Sequence, residues 1–124
     1  MMYTTANGFL HAAALAGSAG VTAVEFAELA LGWFLLSAVT PLLMAEAPGI
    51  DQGRYPGEAA SLEAHLTELD HILRTSVEQG VDAGPPRQAR ARVERAVAAG
   101  HGADGYGALI ELLRRPSEEP SPLP

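Results

Sequence analysis

The chain has 124 residues, 48% of them hydrophobic, a size and composition that suit one domain built around one core. Eight arginines, no lysine and fifteen acids leave a net charge of −7, which excludes the dense basic surface that nucleic-acid binding requires. With no cysteine, disulfides, zinc–thiolate sites and a cysteine nucleophile are excluded together.

Ala, Leu, Glu and Arg dominate, and no run of alternating Val, Ile, Thr and aromatic residues reads as a strand, so the expected fold is all-α with about six helices. The N-terminus lacks a positive segment before its apolar stretch and does not read as a secretory signal, which makes the cytoplasm the expected location. A first helix is expected over residues 2–19, stopped by Gly20 in the left-handed conformation. Thr22 and Glu25 form a Ser/Thr-x-x-Glu capping box that opens a second helix over 23–31.

The third helix, 32–47, is apolar on every side, and Pro41 should kink it. The uncharged run between Glu28 and Glu46 is borderline in length for a bilayer, flanked by acids and interrupted by proline. It reads as a buried core helix at the centre of an intertwined homodimer, with no membrane partner.

PGIDQGRYPG follows as a turn-rich connection. A fourth helix, 58–79, carries Leu62, Leu66, Leu69, Leu73 and Val77 along one face and ends at Gly80. Pro85 and Pro86 suit the first turn of a fifth helix reaching Ala99. Asp104 is a candidate N-cap for a sixth, ending near Arg115. Residues 1–116 would form the domain, and the proline- and acid-rich residues 117–124 a disordered tail.

Little of this carries recognisable chemistry. GADGYG follows a helix instead of a strand and lacks the spacing of a dinucleotide-binding loop, so no cofactor is expected on this chain. Among His11, His65, His71 and His101 there is no metal-ligand spacing. His65 and His71 stand about 120° apart around a helix axis, which excludes a shared metal. Arg87, Arg90, Arg92 and Arg95 form a short basic run interrupted by Glu94, which reads as a solvated face.

His65 is the most informative histidine because it falls on the apolar stripe beside Leu69. Two readings fit it: a core imidazole satisfied by a backbone carbonyl, or a group contacting a ligand. Tyr3 and Asn7 place a phenol and an amide on one side of the first helix, where they either bond each other or meet a substrate. Trp33 and Phe34 open the apolar helix, where core packing is the ordinary role.

The run MYTTANGFLHAAALAGSAGVTAVEFAELALGWF, the stretch from DQGRYPG through SLEAHLTELDHILRTSVEQGVD, and AVAAGHGADGYGALIELLRRP together resemble the C-terminal helical domain of imine reductases and reductive aminases. These are NADPH-dependent members of the β-hydroxyacid dehydrogenase group. The resemblance implies two interlocked subunits, each helical domain completing the other's active site beneath a Rossmann domain. It also implies an active-site role for Tyr3, a pocket-lining role for Trp33, and for His65 a position where many members carry a pocket glutamine. The Rossmann half and the acidic proton donor that precedes the tyrosine in that family have no counterpart in these 124 residues.

Two functions are therefore expected. In the first, a stand-alone dimer acts without cofactor as a cyclase, isomerase or lyase on a small hydrophobic metabolite. Tyr3 and His65 would be its acid and base, and Asn7, Trp33, Phe34 and Leu69 would bind substrate. The alternative is the substrate-binding and dimerisation subunit of a split NADPH-dependent imine reductase, partnered by a separate Rossmann chain, or a non-catalytic ligand-binding protein. Either way, calorimetry on this chain alone should detect no NADPH binding, and micromolar affinity would reveal a phosphate site the sequence does not announce.

Overall fold

A computed structural model describes residues 1–115, and these described residues are all-helical, as the composition predicts, but with five helices in place of six. The expected tail lies outside the described residues. Helix α1 spans Met2–Ser18. Helix α2 is a 30-residue rod, Ala23–Gln52, that fuses the second and third expected helices. Helix α3 is Leu62–Glu78, and α4 is Gly84–Ala96 followed by the segment Val97–His101, which is broken at left-handed Gly100 (φ 99°). Helix α5 is short, a 3₁₀ turn Tyr106–Leu109 leading into Ile110–Leu113. Left-handed Gly20 and Gly80 follow α1 and α3 as expected, and Gly53 does the same for α2.

The capping box forms as read: Thr22 Oγ1 accepts from the Glu25 N–H at 3.2 Å, and Glu25 Oε2 accepts from the Thr22 N–H at 2.9 Å. What the sequence reading missed is that α2 does not stop at Leu31. Residues Ala30–Val39 adopt π-helical geometry, and the α-helix resumes at Thr40 with Pro41 in its first turn. The wider π turn makes room for the proline ring and for the carbonyl it leaves without an N–H partner, so the helix runs on through Pro41. Ser37 Oγ adds a bond to the Trp33 carbonyl at 2.6 Å. The segment Pro48–Gln52, read as a turn, is also helical, and the turn proper starts at Gly53, where the Arg54 N–H reaches back to Gly49 O at 2.8 Å.

A second observation concerns burial within the single chain. By length and composition α2 could cross a membrane, yet none of its 18 most apolar residues is buried within the chain. Leu29, Leu31, Trp33, Phe34, Leu36, Leu42, Leu43 and Met44 are all exposed. The buried core helix anticipated from its sequence is thus not buried by its own chain. Helix α1 lies along its first half, held by Phe9 stacked on Phe26 with ring centroids 5.6 Å apart.

The core lies at the other end. Leu62 of α3, Val93 and Ala96 of α4 and Ala108 of α5 are fully buried, with Tyr55, Leu66, Leu69, Val97, Leu109 and Leu112 packed around them. The α3 stripe holds through its first turns but leaves Val77 exposed, because the 3.6-residue period brings position 76 to the core face. Buried Ser76 is satisfied there: its hydroxyl donates to Ile72 O at 2.8 Å and meets His11 Nε2 at 3.3 Å. Arg90 pairs across the α3–α4 seam with Asp70 and, along α4 itself at 2.5 Å, with Glu94, so the basic run on α4 is partly neutralised. Since Leu62 is wholly buried, Leu62→Ala should cost about 2–5 kcal/mol. A urea midpoint unchanged from the parent would contradict this core assignment.

Candidate functional site

The first helical turn of α3 has N–H groups with no partner inside the helix, and most of them are taken up by one loop. Leu62 N donates to Asp104 O at 2.8 Å and Glu63 N to Gly102 O at 3.1 Å, while Ser61 Oγ accepts from Ala64 N at 3.2 Å. The same loop reaches the 53–61 connection, where Gly105 N donates to Tyr55 O at 2.9 Å. A Cβ at Gly105 would stand 2.5 Å from Pro56 O, so only glycine permits this approach.

Asp104 was read as the N-cap of the last helix, and the structure corrects that. Gly105 takes the cap position without a side-chain bond, while the Asp104 carboxylate accepts from His101 Nδ1 at 2.8 Å.

Between this loop, the C-terminal half of α2 and the start of α3 lies a cleft of about 1130 Å³. Tyr55, His65, His101 and Tyr106 line it, with Glu46 and Arg54. His65 Nδ1 meets Glu68 Oε2 at 3.0 Å, and the ring stands edge-on to Tyr106 with centroids 5.1 Å apart. His101 stands edge-on to Tyr55 at 6.5 Å. The Tyr55 hydroxyl donates to Glu111, a bond that favours the neutral phenol and raises its pKa, with burial adding to the effect. Burial raises the Tyr106 phenol, partly offset by nearby Arg92. Among the described residues no group of three or more His, Asp or Glu side chains could hold a metal.

Of the residues singled out in the sequence, His65, His101 and Asp104 line this cleft. Leu69 packs against the core instead. Tyr3, Trp33 and Phe34 stand 78%, 61% and 50% exposed on α1 and α2, and none of them lines the cleft within one chain. Asn7 borders a smaller groove with His11 against the loop after α3. His71 is exposed, and the Glu68 carboxylate one turn before it bonds His65. Tyr55 and Tyr106 escaped notice because they belong to glycine-rich turns without periodicity, and His101 was weighed only as a metal ligand. Their signal was the packing of aromatics into YPG and GHGADGYG.

The family model of the NADPH-dependent reductive aminase-like C-terminal domain matches residues 1–115. The chain belongs to this family. It is 36% identical over 116 residues to an NADPH-dependent reductive aminase of Aspergillus oryzae, a match covering 91% of this chain and 39% of that protein. Its fold matches a reductive aminase from Aspergillus terreus, solved with NADPH4, cyclohexanone and allyl amine, at TM-score 0.82 and 41% identity over 91% of this chain and 39% of that one. An imine reductase from Bacillus cereus matches at TM-score 0.84 and 28% identity, covering 93% and 40%. The chain thus spans about two fifths of the length of these reductive aminases and imine reductases.

The two raised phenols of the cleft set the alkaline behaviour of this reductive aminase-like domain. An unfolded tyrosine ionises near pH 10, before its folded counterpart does, so the folded state holds more protons above that pH. The Tyr55 and Tyr106 contributions are present below about pH 10 and lost as pH rises through the folded values. Urea midpoints should therefore fall more steeply above about pH 10 in the parent than in the Tyr55→Phe variant. Identical slopes would show that the Tyr55–Glu111 bond does not form.

Proposed function

We propose that this chain is the substrate-binding and dimerisation part of an NADPH-dependent imine reductase or reductive aminase, working with a nucleotide-binding Rossmann part that lies outside these 124 residues. The observation that carries the reading is the family match across residues 1–115 to a C-terminal domain, the non-nucleotide portion of such enzymes. In this reading the cleft beside His65 is the substrate side of a composite site, and NADPH arrives from the Rossmann part to give up hydride.

The bare apolar faces of α1 and α2 support the same reading. An exposed surface carrying Trp33, Phe34, Leu36 and Leu43 is the kind that obligate interfaces bury. A second copy laid along α2 would cover it and carry that copy's Tyr3 and Trp33 toward a shared pocket. Cofactor-independent cyclase chemistry draws no comparable support, since the relatives this chain resembles are NADPH-dependent reductive aminases.

The test is reconstitution with the Rossmann-domain part of an imine reductase. NADPH consumption on a cyclic imine should need both parts, and Trp33→Ala should raise the imine KM about tenfold or more with a smaller effect on kcat. Turnover of a substrate by this chain alone, without NADPH, would overturn the proposal in favour of the cyclase.

A further inference from the structure

A neutral imidazole carries one proton, and which nitrogen holds it is decided by the hydrogen bond the ring makes. His65 stands at the fourth residue of α3, and Glu68 follows one turn later, where side chains three apart meet on one helix face. Their contact is specific to one ring nitrogen: Nδ1 lies 3.0 Å from Glu68 Oε2. A carboxylate only accepts, so the proton of the neutral ring belongs on Nδ1. Among the described residues no protein group bonds Nε2, and the ring, with its side chain 24% exposed, lines the cleft. Tyr106 holds the ring from the side, edge-on at 5.1 Å.

We infer that Glu68 is a positioning residue that fixes His65 in the Nδ1–H form, leaving Nε2 as an acceptor in the cleft for the N–H of an amine. The inference deepens the reductase reading and rests on it for the identity of the ligand. A glutamine at this position offers both an acceptor and a donor, whereas His65 held this way offers an acceptor alone. The cleft therefore discriminates ligands by whether they carry an N–H. Glu68 itself touches no substrate and acts only through the imidazole.

Nitrogen-15 spectra of the whole chain at about pH 8.5, above the ordinary imidazole range, read the tautomer directly. His65→Asn assigns the signals. The parent should show a protonated Nδ1 and a bare Nε2. Glu68→Ala should move the proton to Nε2, and Glu68→Gln should keep it on Nδ1 because the amide oxygen accepts the same bond. A parent with its proton on Nε2, or a Glu68→Ala chain with the parent's tautomer, would overturn the positioning role.

Cyclohexylamine, added as the probe, should shift the Nε2 resonance. Cyclohexyltrimethylammonium, of similar shape but without an N–H, should not. Equal responses, or none to either, would overturn the acceptor assignment. NADPH-linked turnover by a chain that fails these tests would leave the reductase reading standing and remove this one, and the converse separates them equally well.

Discussion

The start of α3 is held by backbone carbonyls contributed from some forty residues further along the chain, and the cleft depends on that junction. Asp104 O and Gly102 O take up the N–H groups of Leu62 and Glu63, and Tyr55 O takes up that of Gly105. Without these partners a half-buried helix end would carry unsatisfied donors, each costing on the order of 1–3 kcal/mol. The junction also sets the chemistry. His65 lies one turn into the helix it anchors, and Tyr106 is the residue after the glycine it anchors, so two backbone contacts place both rings against each other. Three connections converge there, which is why the cleft walls come from α2, α3 and the turn before α5 instead of from one helix pair.

The opposite end of the molecule is built by a different rule. There α1 and the first two thirds of α2 contribute apolar side chains with almost nothing of their own chain to pack against. Uniform apolarity suits a helix surrounded by protein on all sides, and a domain of this size cannot supply that surround to a 30-residue rod. A chain with a finished core at one end and an unfinished one at the other fits a part of an assembly, in keeping with a family match that covers about two fifths of whole reductive aminases.

Helix content, the Thr22–Glu25 capping box, the proline start of α4 and the glycine stops were legible because each rests on local backbone chemistry. The fusion of two helices into α2 was not. It turns on a ten-residue π segment that absorbs Pro41, and local rules weigh the proline without weighing that accommodation. Ser76 replaced Val77 on the buried face because a stripe of large apolar residues is a poorer guide than the helical period, and a partner hydroxyl bond to His11 appears only in three dimensions. Within the site, His65 was found because an ionisable group on an apolar stripe is conspicuous. Tyr55 and Tyr106 were not, and His101 was weighed only as a metal ligand, since their meeting is made by loop closure. Family resemblance, rather than spacing, gave Tyr3 and Trp33 their place, and a single chain leaves both at its surface.

The claim that joins these observations is that the apolar rod α2 is completed by a second copy of the chain. Multi-angle light scattering of the isolated protein in detergent-free buffer at micromolar concentration tests it most directly. The account predicts a species of twice the 12.9 kDa chain mass that falls to the single mass in a Trp33→Asp, Leu36→Asp double variant. A folded protein of 12.9 kDa before any substitution would contradict it.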